Sequence, residues 1–422
     1  MMREDRFWKR FAVISIGVGA VVRILFGLWL HPPLNYVYSD AQGYVTRAAR
    51  LASGTTLNRF DTFFPPGTHI LLALPLRIFG TGRAGLWAAS VLWLILSCSV
   101  PLLAWRVAAR VMTPKAAAIT AALCAVWPLF IAYGGFFMSE IPSVVILLAT
   151  ILLAFRVRET AGPKRVAYAL AAGVSAGAAL VVRPQLVLNV AIAAITMLAV
   201  RRSFRVAGAA AAGLLIALAP ALALNAHAAG RFVGLSENGG LNFFQGHCPA
   251  RGVKTIKVGV GVLEFASSVV AQQDRGRDYL FVGHIAWEQS FFFHQGLDCI
   301  RKDGIGHVAV LARNVADLGI TSVPWPPSNE QTLRWFVRPA NLAYRMLPSL
   351  VVGGVALSRS NRRGTNRPLL FVAHLVCVLP TAVLFYGDPR FRIPYDVFGL
   401  GLFAMLLTSA LPFRRAEPSG MP

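Results

Sequence analysis

Repeated apolar runs divide this chain, and most of them are long enough to cross a hydrocarbon layer about 30 Å thick. Because lipid offers the backbone no hydrogen-bonding partners, such runs must fold as helices that satisfy their own amides and carbonyls. With 56% hydrophobic and only 14% charged residues, the chain is predicted to be an all-α polytopic membrane protein. About ten transmembrane helices are predicted, at 11–30, 85–109, 116–135, 141–155, 166–182, 186–200, 206–224, 341–357, 369–386 and 393–411.

The net charge of +23 is distributed as the positive-inside rule predicts, and not as in a nucleic-acid-binding protein. The N-terminal segment, four short loops and the C-terminal tail, all on one predicted side, hold 20 of the 41 Lys and Arg residues but only 4 of the 18 acids. This side is assigned to the cytosol, so both termini are expected there. Arg exceeds Lys and Ala is abundant, which is typical of a GC-rich bacterial genome, so we expect the inner (plasma) membrane of a bacterium.

Two long outer segments divide the chain into three regions. Residues 1–224 form an N-terminal transmembrane module that includes the outer loop 31–84. Residues 225–340 are predicted to form a small cap of helices and loops on the periplasmic side. Residues 341–422 contain the last transmembrane helices and a basic tail.

The first outer loop is predicted to contain helices that lie in the membrane interface. Tyr44, Ala48 and Leu51 recur at helical spacing, with polar residues such as Arg47 on the opposite face. A second interfacial helix is predicted for THILLALPLRIFG, which follows the stiff turn FPPG.

Carboxylates at the membrane edge are the first candidates for chemistry, because burying a charge near lipid is costly unless it serves a purpose. Asp40 follows the first apolar span, and two roles are predicted: general base toward an acceptor hydroxyl, or ligand of a divalent metal. The alternative is that Asp40 caps a helix beginning at Ala41. Glu140 begins the fourth span, where it is either an active-site acid facing Asp40 or a partner of the helix dipole. Asp61 is a weaker candidate, with an exposed turn residue as the alternative.

Arginines on the same predicted side are candidates for binding a phosphate, because a guanidinium offers a planar, permanently charged pair of donors. Arg183 lies between two spans in VVRPQ, and Arg390 and Arg392 lie in FYGDPRFRIP. In an extended turn, Arg390 and Arg392 would point the same way. The alternative is that they pair with Asp388 or with lipid headgroups.

Several soluble motifs are absent from the sequence, including a Gly-rich phosphate loop, HExxH, GxSxG and Cys-x-x-Cys. Their absence argues against an ATP-driven pump, a zinc protease and a serine hydrolase. A transporter or flippase for a lipid-linked or anionic solute remains an alternative, as does a non-enzymatic assembly subunit. A transporter predicts broken helices near mid-membrane, whereas the unusual residues here gather at one face.

Cys248 and Cys299 are the only cysteines in the large outer segment. In an oxidising compartment they either form a disulfide that holds the cap or remain two free thiols. Sequence alone leaves both alternatives open, because a bridge requires Cα atoms within about 7 Å.

At these residues the chain resembles the GT-C superfamily of membrane glycosyltransferases, of the kind that includes protein O-mannosyltransferases and the lipid A aminoarabinose transferase. The resemblance covers roughly residues 1–250 and the C-terminal RFRIP. It depends on the order of several short motifs: Asp40 with Tyr44, the turn Pro65–Gly67, Glu140, Arg183 with Pro184, Asn242, Gly246 and Pro249 in NFFQGHCP, and Arg390–Pro394. His247 departs from the pattern, since Asn is common at this position.

The resemblance implies transfer of a sugar from a polyprenyl phosphate in the membrane lipid to an unknown acceptor outside the cytosol. It makes residues 1–224 the catalytic module, with Asp40 the catalytic carboxylate and Glu140 a second active-site acid. It assigns the donor phosphate to Arg183, Arg390 and Arg392. The other residues expected to bind substrate are Tyr44, Asp61, Asn242 and His247. A polyprenyl-phosphate sugar is thus the expected partner, with no certain cofactor and the metal alternative open.

Overall fold

A computed structural model of the chain describes residues 2–199, 203–249, 287–320, 338–340, 342–360 and 367–410, together with the backbone of four short strands between 256 and 285. The basic loop residues 201–202 and 361–366 and the basic tail from 411 onward, which the sequence assigns to the cytosol, lie outside the described residues.

Helices make up almost all of the described chain. In chain order the α-helices are α1 (Met2–Leu25), α2 (Ser39–Ala52), α3 (Gly67–Phe79), α4 (Arg83–Ala108), α5 (Pro114–Val126), α6 (Pro128–Ala132), α7 (Glu140–Glu159), α8 (Pro163–Val182), α9 (Val187–Leu198), α10 (Phe204–Ala229), α11 (Gly239–His247), α12 (Gln289–Asp303), α13 (His307–Ile320), α14 (Leu347–Ser360), α15 (Pro368–Val376), α16 (Val378–Leu384) and α17 (Ile393–Ala410).

Six helices of the described chain are long and apolar enough to cross a membrane, and a seventh span results if the bent pair α5–α6 is counted as one. Shorter apolar helices lie where the other three spans were predicted, at Pro184–Leu198, Leu347–Ser358 and Pro368–Leu384. The helical multi-pass class is therefore confirmed, while the predicted number of ten spans is not.

The described parts of the predicted cytosolic loops lie at the end of the bundle opposite the outer segments. The Arg110 Nε donates to a Glu159 carboxylate oxygen at 2.7 Å, which joins the α4–α5 connection to the end of α7. The Arg367 N–H donates to the Val111 carbonyl at 2.7 Å, which adds the start of α15 to the same end. Helices α7 and α8 run from this basic end to the outer face, where Glu140 and Arg183 lie.

The bend between α5 and α6 is stabilised by an arginine from another helix. Pro128 has no N–H, so the carbonyl of Cys124, four residues earlier, has no partner within its own helix. Arg23 of α1 is only 2% exposed and donates to the carbonyls of Cys124 at 2.9 Å and Ala125 at 2.5 Å. Arg23 is thus held inside the bundle by backbone carbonyls of α5.

The first outer segment contains the two helices that the sequence predicts, α2 and α3, packed on a core that includes Tyr44, Ala48 and Trp93. The prediction for Arg47 was wrong, because this side chain is buried and not on the exposed face. It donates to the Phe60 carbonyl at 3.0 Å and lies over the Phe64 ring, so the following turn folds back over α2.

The outer cap contains α11, α12 and α13, and it packs on the first outer segment through a core of aromatic side chains that includes Phe63, Phe244, Trp287 and Phe292. Thr62 donates its hydroxyl to the buried Glu237, which ties the two outer segments together. The backbone also forms two antiparallel strand pairs, β1 (Ile256–Lys257) with β2 (Leu263–Glu264) and β3 (Ala266–Asp274) with β4 (Arg277–Ile285), where the sequence predicted only helices and loops.

Cys248 and Cys299 form a disulfide, with their Cα atoms 5.7 Å apart, as one of the two sequence alternatives predicts. It joins the end of α11 to α12 across 51 residues. In the chain-entropy account, closing such a loop stabilises the cap by about 4 kcal/mol.

We therefore expect a double Cys248→Ala, Cys299→Ala variant to melt at lower temperature in detergent, with the loss largest for the cap. Mass spectrometry of the non-reduced wild type should recover the two cysteine peptides linked. Free thiols at both positions, in protein made in an oxidising compartment, would contradict the bridge.

Candidate active site

A cavity of about 310 Å³ opens at the outer end of the bundle, between the first outer segment and the cap. The first residues of α2 and α7 line it, together with the residues that follow α8 and those that precede α17. Helix α11 forms its outer wall. Six of the predicted site residues line it: Asp40, Tyr44, Glu140, Arg183, Asn242 and Arg390. Residues from five separate parts of the chain therefore converge on one space.

Asp40 lies in the first turn of α2 and not at its cap, because the helix begins two residues earlier than predicted, at Ser39. A carboxylate in the first turn still interacts favourably with the helix dipole. Ser39 has a φ of 50°, in the left-handed region that favours glycine, so the turn that presents Asp40 is strained. A carboxylate oxygen of Asp40 accepts a hydrogen bond from the Arg390 Nη1 at 2.8 Å. This pair joins the start of α2 to the segment before α17, 350 positions later in the chain.

Glu140 and Arg183 form a second ion pair, at 3.2 Å, with side chains that are only 1% and 8% exposed. Glu140 is the first residue of α7 and Arg183 directly follows α8, so two antiparallel helices bring them together. One oxygen of Glu140 and the Nη1 of Arg183 are buried without a hydrogen bond to any of the described residues. Because buried polar atoms are normally satisfied, these two atoms are available to a ligand.

Arg390 is held on several sides besides its contact with Asp40. Its Nη2 donates to the Tyr386 hydroxyl at 3.3 Å, its Nε lies 3.8 Å from Asp388, and its backbone N–H donates to Asp388 at 2.8 Å. The guanidinium groups of Arg390 and Arg183 lie 5.3 Å and 5.9 Å from the centroid of the same Phe391 ring. One aromatic ring therefore positions both cations at the cavity.

Tyr44 lies on the wall of the cavity one helical turn from Asp40, as its position in α2 requires. Burial raises the pKa of its hydroxyl to about 12, and the carboxylates of Asp40 and Glu140 add to this effect. At physiological pH Tyr44 is therefore a neutral hydrogen-bond donor and acceptor. It is suited to orienting a substrate, and not to removing a proton.

The cap contributes amide side chains to the cavity. Asn242 and Gln245 are one turn apart on α11 and both line the space. Gly246 allows this helix to pack directly on the backbone of Phe385, whose carbonyl oxygen would lie 1.3 Å from an added Cβ. Gly246 thus has a packing role that the resemblance alone did not explain.

Three predicted site residues do not line the cavity. Asp61 accepts a hydrogen bond from Arg50 at 2.7 Å and another from the Asn58 backbone, which makes it part of a turn and not of the site. His247 points behind α11, with its Nδ1 2.8 Å from His307 and its Nε2 3.2 Å from the Leu384 carbonyl.

Arg392 is the third, and the expectation that it points the same way as Arg390 was wrong. Residues Pro389–Arg392 form a 3-10 helix and not an extended turn, so side chains two residues apart diverge. Arg392 is fully buried, donates to the Leu318 carbonyl at 2.7 Å and lies 3.6 Å from Asp396. It holds α13 against the start of α17.

Several polar residues that line the cavity belong to no motif predicted from the sequence: Ser139, Gln185, Ser236, Asn238, Gln245, Thr381 and Tyr386. Gln185 lies two residues after Arg183, and Tyr386 lies four residues before Arg390. Their closeness to these arginines in the sequence could have identified them. Gln245 lies three residues after Asn242, a spacing that puts both on one helix face.

The metal alternative for Asp40 has few ligands to draw on. Within the described ranges, no group of three or more His, Cys, Asp or Glu side chains lies close enough to hold a metal ion. The carboxylates at the cavity, Asp40 and Glu140, are each paired with an arginine. This donor set therefore favours the general-base alternative for Asp40 over metal ligation.

Comparison with known proteins gives one family match. Residues 64–224 match the family described as dolichyl-phosphate-mannose-protein mannosyltransferase. This range includes Glu140 and Arg183 and ends inside α10. No curated protein sequence matches the chain.

Solved structures align with most of this chain at low sequence identity. The apo crystal structure of the Archaeoglobus fulgidus oligosaccharyltransferase is 13% identical, with a TM-score of 0.50 over 96% of this chain and 51% of that one. The chain thus spans about half the length of that enzyme. ArnT from Cupriavidus metallidurans, in a structure bound to undecaprenyl phosphate, is 14% identical, with a TM-score of 0.42 over 93% of this chain and 77% of that one. The family match and the shared fold confirm the resemblance to GT-C superfamily membrane glycosyltransferases that the order of the motifs predicted.

Proposed function

We propose that this protein transfers a sugar from a polyprenyl-phosphate donor to an acceptor hydroxyl at the outer face of a bacterial inner membrane. The observation that carries this proposal is the convergence of two carboxylates and two arginines on one cavity at the outer end of the helices. A base and a phosphate-binding site are the two elements that such a transfer needs.

The reaction we propose is a single displacement. The acceptor oxygen forms a bond to the anomeric carbon while the bond from that carbon to the phosphate oxygen breaks, and the bonding pair remains on the phosphate. Asp40 accepts the proton of the acceptor hydroxyl as general base. Arg183 and Arg390 stabilise the charge that develops on the leaving phosphate.

The other residues of the cavity fit a sugar between these groups. Asn242, Gln245 and Gln185 present amides that both donate and accept, which suits hydroxyl groups. The aromatic rings of Phe64 and Tyr386 provide apolar surface for the faces of the ring. We propose a hexose or a pentose as the sugar, and a hydroxyl of a lipid, a glycan or a protein as the acceptor.

Purified protein in nanodiscs, incubated with a panel of polyprenyl-phosphate sugars and a bacterial envelope extract as the source of acceptor hydroxyls, tests the proposal directly. We expect release of polyprenyl phosphate with at least one donor, faster than in the Asp40→Asn variant. If no donor in a panel of hexose and pentose derivatives is consumed, the proposed activity is wrong.

Replacing Arg390 with Lys should weaken donor binding. Lysine keeps the charge but loses the planar fork that contacts Asp40 and Tyr386, so a charge-assisted bond of about 1–3 kcal/mol is lost. The apparent donor affinity of Arg390→Lys and of Arg183→Lys should fall accordingly in transfer or lipid-binding assays. Arg313→Lys is the matched control, because this arginine is exposed and does not line the cavity. Unchanged donor dependence in both cavity variants would remove the phosphate role.

The proposed orientation predicts which loops are accessible from outside the cell. A cysteine at Thr55, in the first outer segment, should react with an impermeant thiol reagent in intact spheroplasts, whereas one at Ala161, between α7 and α8, should react only after permeabilisation. Both positions are exposed, so access to solvent is matched. The reverse labelling pattern would place the cavity in the cytosol, where a nucleotide sugar would be the expected donor.

The transporter alternative is favoured by one observation, the break between α5 and α6, because interrupted helices are typical of transporter binding sites. Here Arg23 occupies the freed carbonyls of the break. A transporter would move labelled lipid-linked sugar across a vesicle membrane without cleaving its phosphate bond. Such movement in the absence of sugar transfer would support this second function over the first.

A further inference from the structure

We propose that Arg390 changes partners during the reaction: in the resting site it holds Asp40, and the phosphate of the substrate replaces Asp40 and frees it to act as base. This inference rests on the proposed function and adds a mechanism by which the donor activates its own catalytic residue. It starts from the 2.8 Å contact between Asp40 and Arg390, which line the same cavity.

In the resting site one carboxylate oxygen of Asp40 is not free to accept a hydrogen bond from an acceptor hydroxyl. The Arg390 Nη1 donates directly to one of its oxygens. An acceptor that arrived before the donor would therefore meet a carboxylate already engaged by Arg390.

Arg390 does not need Asp40 to stay in place. Tyr386 and Asp388 contact its Nη2, Nε and backbone N–H, and Phe391 lies against its guanidinium group. Asp388 and the Phe391 ring belong to the same short segment as Arg390, so these contacts persist whichever anion occupies Nη1. The hydrogen bond from the Nη1 of Arg390 is thus the one that can pass from Asp40 to another anion.

Arg183 provides a first contact for the phosphate. Its Nη1 is buried without a partner among the residues that the structure describes, while its Nη2 lies 3.2 Å from Glu140. Phe391 lies within cation–π distance of both arginines. A phosphate group that accepts a hydrogen bond from the Nη1 of Arg183 therefore lies at the same wall of the cavity as the Asp40–Arg390 pair.

The charges that change during transfer drive the same exchange. A sugar–polyprenyl phosphodiester carries one negative charge, and its phosphate gains a second as the bond to the anomeric carbon breaks. Asp40 loses its charge when it takes the acceptor proton. The phosphate therefore attracts Arg390 more strongly as Asp40 attracts it less, so the exchange contributes most in the transition state, where it accelerates the reaction.

Carbodiimide labelling of Asp40 tests the exchange. Wild-type protein in nanodiscs is treated with a small carbodiimide and glycine ethyl ester, with or without saturating polyprenyl phosphate, and modification of the Asp40 peptide is measured by mass spectrometry. This lipid lacks the sugar, so the sugar's part of the cavity stays open to the reagent. We expect modification to rise about tenfold, because a carboxylate oxygen that no longer accepts a hydrogen bond from Arg390 is free to react with the reagent.

Asp61 is the internal control, because it is paired with Arg50 away from the cavity and its modification should not change. In Arg390→Gln, Asp40 should be modified rapidly without any lipid; if this variant does not fold, the wild-type comparison decides alone. A second arm uses inorganic phosphate at high concentration. A response in either arm supports the exchange, and a response to the lipid alone assigns it to a lipid-borne phosphate.

Binding of polyprenyl phosphate is measured separately, by native mass spectrometry of the same preparation. If the lipid binds and Asp40 modification rises in neither arm, the exchange is wrong and the proposed donor class stands. If the lipid does not bind, the proposed donor class is wrong, and the exchange is wrong as well unless inorganic phosphate raises the modification.

Discussion

Asp40→Asn should abolish sugar transfer while leaving the protein folded. The amide has the size and shape of the carboxylate and can still accept a hydrogen bond from Arg390, but it cannot take a proton from the acceptor. Loss of a general base typically costs a factor of about 10²–10⁴ in rate. Because Asp40 is 19% exposed and its pair with Arg390 meets solvent in the cavity, the loss of stability should be at most about 1 kcal/mol.

The measurement is turnover of polyprenyl-phosphate sugar by purified variants, with melting temperature in detergent as the check on folding. Asp61→Asn is the matched control. It changes the same functional group in the same outer segment, but its carboxylate contacts Arg50 and a turn backbone and does not line the cavity. Asp61→Asn should therefore lower stability and retain turnover. Wild-type turnover by Asp40→Asn would remove the catalytic assignment.

The parts of this fold that could be predicted from the sequence depend on local patterns. Apolar runs located the helices, and the uneven distribution of basic loops separated the two ends of the bundle, because both signals are written within short stretches of chain. These two signals predict that Asp40, Glu140, Arg183 and Arg390 lie at one end of the bundle. In the structure all four line the cavity. Run lengths were less informative, since short apolar helices such as Pro184–Leu198 do not reach the length of a span.

The pairing of those residues could not be predicted. Asp40 and Arg390 are 350 positions apart, and nothing in either motif specifies the other as its partner. The errors at Arg392 and Arg47 have a common cause, which is that the direction of a side chain depends on backbone geometry and on what packs against it. A 3-10 helix replaced the expected extended turn at Arg392, and the turn at Phe60 covered Arg47.

Asp40 illustrates how a local rule can be right about a residue and wrong about its role. The acid was expected either to cap a helix or to carry chemistry, and the helix instead begins at Ser39. Since Asp40 lies in the first turn and pairs with Arg390, its carboxylate is directed at the cavity and not at the helix amides. Short-range capping statistics do not include a partner from the far end of the chain.

The buried pair of Glu140 and Arg183 gives the largest expected effect on stability. Glu140→Gln removes one charge of a pair that is almost entirely buried and leaves Arg183 as an uncompensated cation. Breaking such a pair typically costs about 3–5 kcal/mol. We therefore expect Glu140→Gln to lower the melting temperature in detergent more than Asp40→Asn does, because the Asp40 pair is partly solvated and the Glu140 pair is not.

A double variant separates this cost from any role in the reaction. Glu140→Gln combined with Arg183→Gln leaves no unpaired charge, so it should be more stable than Glu140→Gln alone, as for other buried pairs replaced as a unit. It should nevertheless remain inactive, because the cavity then lacks Arg183 as a contact for the donor phosphate. Recovery of both stability and turnover in the double variant would make the pair purely structural. A Glu140→Gln variant that melts like the wild type would show instead that Arg183 is already compensated by solvent or by a bound anion.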